Sequence, residues 1–151
     1  MQQVFQASEI ADLIGIPQAR LAKFVESPGY GVSPSQRKEA GKGIPRLYTL
    51  DDLLTIALAW WLFQAGLRSK VIGEVVPKAT RLVGNSQTWS KGSDRFLVVR
   101  RGIAAGANFV QRVCLEDPTD ILAHIGSDRY HATQVLPVGA LLERMWSKMN
   151  K

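Results

Sequence analysis

Apolar residues near the N-terminus recur twice at the helical spacing i, i+3 and i+4, as Ile10, Leu13 and Ile14 and then as Leu21, Phe24 and Val25. Gly15 lies between the two sets and supplies the left-handed residue that commonly ends a helix. Pro17 suits a first helical turn, because its φ is already helical and its missing N–H would be unpaired there. Residues 5–25 are therefore predicted to form two short amphipathic helices around a tight turn, a helix-turn-helix candidate.

The next stretch, residues 26–45, is rich in Gly, Pro and Ser and has a basic tip, which argues against a packed helix or a central strand. With its flanks at residues 30–32 and 46–48, it is predicted to be an exposed hairpin-like loop. Two interpretations stay open: a mobile solvated loop, or a wing whose Lys and Arg side chains bind DNA phosphates beside the groove. Val4 and Phe5 are predicted to begin a short strand before the first helix.

Thr49 is predicted to cap a third helix, because its hydroxyl can accept from the first-turn N–H groups. Asp51 and Asp52 then lie in the positive first turn. The run that follows, residues 53–63 (LLTIALAWWLF), is apolar on nearly every side, which is typical of a helix buried between two layers. Gly66 is predicted to end this helix.

A fourth helix is predicted to run to about Val83, with Pro77 expected to kink or interrupt it. Residues 84–94 are polar and contain glycine, so we predict a linker there. This divides the chain into an N-terminal domain, residues 1–83, and a C-terminal segment, residues 95–151.

The C-terminal segment changes to β-branched and aromatic runs, FLVVRR at 96–101 and FVQRVCL at 109–115. Their Gly-containing connection, GIAAGAN, predicts a β-hairpin. Residues 121–125 are predicted to form another strand, and Pro137 is predicted to open a final helix. The apolar stripe of that helix consists of Val138, Leu141, Leu142, Met145 and Met149.

Charge narrows the class of partner. The 151 residues carry a formal net charge of +6, and between residues 15 and 50 six Lys and Arg stand against two Glu. This distribution favours a polyanionic partner. The sequence has no apolar run long enough to span a membrane and no secretory signal at its N-terminus. The single cysteine, Cys114, excludes an internal disulfide and is typical of a reducing cytoplasm.

Four features along residues 4–76 occur together in one known family. Residues 10–16 (IADLIGI) match its first helix and turn, Leu21 matches a leucine of its recognition helix, and residues 46–53 (RLYTLDDL) match the end of its wing. The fourth feature is the helix pair that follows, matched at Ile56, Leu62, Gly66, Leu67 and Ile72. On these residues, the first half of the chain resembles the DNA-binding domain of the MerR-type transcriptional regulators.

The resemblance implies a winged helix-turn-helix, with the recognition helix 17–25 in the major groove and a basic wing, residues 30–48, on the DNA backbone. It also implies a homodimer on pseudo-palindromic double-stranded DNA. The chain departs from the family at Ala22 and Lys23, where Arg and an aromatic are usual, and residues 95–151 match no effector domain of the family. The expected fold class is mainly α with small β, a winged helix-turn-helix followed by an α+β segment with a β-hairpin and a terminal helix.

The residues expected to contact DNA lie on the second helix and in the wing: Gln18, Arg20, Lys23, Phe24, Arg37, Lys38, Lys42, Arg46 and Tyr48. Gln18 is expected to read adenine, and Arg20 and Lys23 to contact base edges or phosphates. The wing cations are expected on phosphates. For Tyr48, three roles stay open: support of the wing, contact with the DNA backbone, and core packing under the wing.

The sequence does not indicate a metal site, a drug pocket or a catalytic site. Cys114, His124 and His131 fall short of any zinc-ligand spacing, so neither a metal nor another cofactor is expected. Trp60, Trp61 and Trp146 are predicted to pack in a core or interface and not to line a drug pocket, because Trp60 and Trp61 lie in an apolar helix. The sequence contains no Gly-rich phosphate loop and no nucleophile elbow, so an enzyme is not expected.

The sequence thus predicts a cytoplasmic, nucleoid-associated transcriptional regulator that binds DNA sequence-specifically as a homodimer. The final helix is the favoured dimer contact, and the alternatives are a contact through the helix at Leu53 or a final helix that folds back on the β-hairpin. Two rival functions remain, a phage-type architectural factor (an excisionase or packaging protein) and a protein-interaction or antitoxin-like module that does not bind DNA.

Overall fold

The computed structural model describes residues 3–32, 46–85, 95–104, 107–118, 120 and 132–151. These parts of the chain are mainly helical, with two small antiparallel sheets. The elements in chain order are β1 (Val4–Gln6), α1 (Ala7–Ile14), α2 (Gln18–Glu26), a 3₁₀ turn (Pro28–Tyr30), β2 (Leu47–Thr49), α3 (Leu50–Gln64), α4 (Ser69–Asn85), β3 (Phe96–Ala104), β4 (Ala107–Glu116), β5 (Ala132–Leu136) and α5 (Val138–Met149).

The first two helices form as the apolar spacing predicts. Gly15 adopts a left-handed conformation with φ of 70°, and the N–H of Ile16 donates to the carbonyl of Ala11 at 3.1 Å, which closes α1. Pro17 precedes α2 in an extended conformation and accepts from the N–H of Leu21 at 3.0 Å. The inward faces of the two helices are buried at Ile10, Leu21 and Phe24, among others. The helix-turn-helix geometry is therefore set by a glycine and a proline in adjacent turns.

The flanks of the predicted wing do not pair with each other. β2 pairs antiparallel with β1, with Phe5 opposite Tyr48, and Tyr30 belongs to the 3₁₀ turn, which packs on α4. The hairpin-like arrangement around residues 30–32 and 46–48 is therefore not confirmed, because the first flank is held by helix contacts and β2 pairs with β1. The wing residues 33–45 lie outside the described residues, and a winged helix-turn-helix is not confirmed.

The N-terminus of α3 is capped as predicted. The N–H of Thr49 donates to the Asp52 carboxylate at 2.8 Å, and the N–H of Asp52 donates to the Thr49 hydroxyl at 3.2 Å. All but one of the residues from Asp52 to Leu62 are buried, so α3 lies between layers as its apolar surface requires. After Gln64 the chain turns at Gly66, whose φ of 88° is left-handed.

Helix α4 continues through Pro77, so of the two expected outcomes, a kink or an interruption, the interruption is wrong. Pro77 has no N–H to donate to the carbonyl of Gly73 one turn earlier. The backbone of the 3₁₀ turn lies against α4 at this turn. A Cβ on Gly73 would overlap the carbonyl oxygen of Gly29, and a Cβ on Gly31 would come within 3.0 Å of the carbonyl oxygen of Gly73. The close approach of two backbones therefore depends on glycine at position 73.

The predicted β-hairpin is confirmed, and its strands are longer than the sequence suggested. β3 and β4 pair from Phe96 with Glu116 to Ala104 with Ala107, and the register shifts between Arg100 and Arg101. β5, which the sequence pattern did not reveal, pairs with the other edge of β3 to give the strand order β4-β3-β5. The predicted strand at residues 121–125 lies outside the described residues.

Residues on both sides of the predicted linker contribute to one hydrophobic core. Leu97, Val99 and Met145 belong to the same buried cluster as residues of α1 to α4, including Trp60 and Trp61. The final helix α5 contacts α1 and β3, and its predicted stripe faces this core. The structure therefore shows the arrangement in which α5 folds back on its own chain, and the stripe favoured as a dimer contact is used within the chain.

Replacing Gly73 by Ala should destabilise the fold, because the new methyl group meets the backbone of Gly29 and not a flexible side chain. We expect the free energy of unfolding in urea to fall by about 1–3 kcal/mol. Gly84→Ala is the matched control: it lies in the same helix with nothing within 4 Å of its Cβ, and the change should be neutral or stabilising by up to about 1 kcal/mol. Equal losses in the two variants would contradict the close approach.

Candidate nucleic-acid interface

The outward face of α2 carries small residues flanked by two long polar ones. Gln18, Ala19, Ala22 and Lys23 are exposed, whereas Leu21 faces the core. Methyl side chains at the middle of the face allow the helix backbone to approach a partner closely. A face of this shape fits a groove, with hydrogen-bonding side chains available at its margins.

Arg20 lies at the edge of this face and is half-buried. Its guanidinium carbon is 4.7 Å from the centroid of the Phe63 ring on α3, a cation–π contact. The side chain is therefore directed along α3 and is not extended freely into solvent.

Phe24 is fully buried and cannot contact DNA, which corrects its place among the expected contacts. Its ring makes edge contacts with Tyr30, Trp60 and Phe63, at centroid distances of 4.4, 6.2 and 5.7 Å. Such aromatic pairs stabilise beyond the area they bury. Phe24 therefore attaches α2 to α3 and to the 3₁₀ turn.

Of the expected wing residues, Arg46 and Tyr48 are described, and Arg37, Lys38 and Lys42 lie outside the described residues. Tyr48 is only 5% exposed, which favours the interpretation as core packing. Burial raises the pKa of Tyr48, and the nearby Arg46, which hydrogen-bonds to it, partly offsets this. Arg46 is half-buried beside Tyr48, so the C-terminal end of the predicted wing packs against the fold.

An open depression of about 480 Å³ lies at the C-terminal end of α2, lined by Lys23, Glu26, Ser27 and Tyr30. Among the described residues, its lining combines one cation, Lys23, and one carboxylate, Glu26.

The C-terminal helix reaches the helix-turn-helix directly. Nζ of Lys148 donates to the carbonyl oxygens of Asp12 and Leu13 at 3.3 and 3.4 Å. These carbonyls belong to the last turn of α1, where acceptors lack helical partners and a cation is favoured. Sequence reasoning missed this contact, because nothing near Lys148 in the chain indicates a partner more than a hundred residues away.

The described residues contain no cluster of three or more His, Cys, Asp or Glu that could hold a metal ion. His124 and His131 lie outside them. Cys114 is half-buried on β4, and burial, together with a hydrogen bond to Glu116, raises the pKa of its thiol from 9.0 to about 11. A thiol with this pKa is a weak nucleophile near neutral pH. Within the described part of the chain, no helix is both long and apolar enough to cross a membrane.

Comparison of the chain with protein-family models and with curated proteins gives no match. The resemblance to MerR-type regulators therefore stays an expectation drawn from the residues themselves.

The raised pKa of Cys114 predicts how the free energy of unfolding changes at alkaline pH. Because its folded-state pKa is raised above the ordinary value of 9.0, its contribution to stability is complete below about pH 9 and is lost as pH rises toward 11. We expect the stability difference between wild type and Cys114→Ser, measured by urea unfolding, to shrink from about pH 8 to about pH 10. A difference that is constant over this range would contradict burial of the thiol.

The Lys148 contact can be tested against a neighbouring lysine. Lys148→Ala should lower the free energy of unfolding by about 0.3–1 kcal/mol and speed amide exchange at Ile16, because the last turn of α1 loses its cation. Lys151→Ala removes the same charge just beyond the end of α5 and is expected to do neither. The contact would be refuted if the two variants behaved alike.

Proposed function

We propose that this protein is a sequence-specific double-stranded-DNA-binding transcriptional regulator that inserts α2 into the major groove. The observation that carries the proposal is the α1–Gly15–α2 unit, whose second helix is fixed from behind by Phe24 and presents an outward face of Gln18, Ala19, Ala22 and Lys23. A recognition helix needs this combination of a rigid rear and an accessible face with hydrogen-bonding side chains.

The chemistry of the face assigns roles to its residues. The Gln18 amide matches the donor–acceptor pair on the major-groove edge of adenine, and Lys23 suits guanine or a phosphate. Ala19 and Ala22 provide methyl groups of the kind that contact the thymine methyl. The net charge of +6 and the basic stretch from residue 15 to residue 50 support association with a polyanion.

The proposal keeps the homodimer, because a two-fold protein on a pseudo-palindrome presents one α2 to each half-site. The buried surface of α3 and the stripe of α5 are used within the chain, so the two copies would meet through other surfaces. A cytoplasmic, nucleoid-associated location follows from the proposed partner.

A selection from random duplexes tests the proposed function. Wild-type protein should enrich a compact palindromic site. Gln18→Ala should lose about 1–3 kcal/mol of discrimination at one base pair, because it removes a bidentate contact to a base edge. Lys78→Ala, an exposed change on α4, is the control and should leave the preference unchanged.

Other outcomes separate the rivals. Protection of a long, sequence-tolerant stretch of DNA would favour an architectural factor. Failure to bind any duplex at low salt would exclude DNA binding and leave the protein-interaction module.

A further inference from the structure

The contact between Arg20 and Phe63 gives Arg20 a different position from the other polar residues of α2. Gln18 and Lys23 are exposed, whereas Arg20 is half-buried and turned toward α3, with its guanidinium over the Phe63 ring at 4.7 Å. Arg20 therefore lies on the flank of α2 and not at the centre of its outward face.

The Phe63 ring is itself held in place. It stacks on Trp60 with a centroid distance of 5.8 Å and an interplanar angle of 15°, and it meets the buried ring of Phe24 edge-on at 5.7 Å. A guanidinium that lies on a fixed ring loses much of its rotational freedom. Its in-plane N–H groups stay available, because stacking occupies only the face of the group.

We propose that Arg20, held on Phe63, is a phosphate clamp beside the recognition helix, and that Phe63 is its positioning residue. This inference rests on the proposed function, since it requires α2 to lie in the major groove. Residues at the centre of the outward face then meet base edges, and a residue on the flank meets the sugar–phosphate wall of the groove. The planar fork of Arg matches two phosphate oxygens, and a fixed fork loses less entropy on binding than a free one.

The clamp has a signature that distinguishes it from base reading. Binding of wild type, Arg20→Ala and Arg20→Lys is measured by fluorescence anisotropy over a salt series, on the selected duplex and on an unrelated duplex. Arg20→Ala should weaken both complexes by a similar factor and reduce the slope of log K against log salt by about 0.9. Arg20→Lys should keep the slope, because the charge remains, yet bind less tightly because the stacked fork is lost.

The positioning role is tested at Phe63. Phe63→Leu keeps an apolar side chain without the ring, and it should weaken both complexes roughly two- to tenfold at an unchanged salt slope, because Arg20 must then be ordered on binding. Phe63→Tyr keeps the ring and should bind like wild type. Adding Phe63→Leu to Arg20→Ala should cause no further loss, since the two side chains act as one unit. Arg81→Ala on α4 removes one charge away from α2 and controls for net charge.

Each result bears on the proposal. If wild type binds no duplex, the proposed function fails and the clamp fails with it. If wild type binds but Arg20→Ala changes preference at one base pair at a constant salt slope, Arg20 is a base reader and the clamp is overturned. If Arg20→Ala and Phe63→Leu leave binding unchanged or tighten it, the stack is purely structural.

Thermal unfolding of every variant is measured alongside. If Phe63→Leu does not fold, the comparison of Arg20→Lys with Phe63→Tyr decides.

Discussion

The structure depends on the burial of one helix that is apolar on nearly every side. From Leu53 to Leu62, α3 exposes almost no surface, so neighbouring elements must cover it all round. In the described structure, α2, α4, β1 and β2 all contact it. Burial of each large apolar side chain contributes about 1.5–3 kcal/mol, and α3 buries seven of them between Leu53 and Leu62. The orientation of the helix-turn-helix follows from this requirement.

A few aromatic contacts connect the buried helix α3 to the candidate site on α2. The C-terminal end of α3 carries Trp60 and Phe63, which contact Phe24 on the inner face of α2 and support Arg20 at its edge. The outward face of α2 is thereby left to Gln18, Lys23, Glu26 and the alanines Ala19 and Ala22. The residues that pack α2 against the core and the residues that are free to contact a partner thus lie on opposite faces of the helix.

The C-terminal segment completes the same core. The three-stranded sheet contributes Leu97 and Val99, α5 contributes Met145, and the N–H of Gly139 donates to the carbonyl of Arg95 at 2.9 Å, which ties α5 to the start of β3. Lys148 then reaches the last turn of α1. The C-terminal segment is therefore in direct contact with the candidate DNA-binding unit.

The sequence by itself determined the features that depend on neighbours within about one helical turn. Gly15 ends α1, Thr49 and Asp52 cap α3, and Pro137 precedes α5, because capping and left-handed turns are governed by local backbone geometry. The apolar spacing likewise identified the buried faces and the β3–β4 hairpin, since periodicity reports burial directly.

Only the tertiary structure decided which of these elements meet. The 3₁₀ turn packs on α4 because Gly73 leaves space for the Gly29 carbonyl, so residues 30–32, expected to flank a hairpin-like loop, are held by a helix. Phe24 lies on the buried face that its apolar spacing indicates, although it was also listed among the expected DNA contacts. Arg20 is held by Phe63, although it was grouped with the exposed residues of α2. The physical reason is that a side chain's environment is set by residues distant in the chain, and local pattern carries no information about them.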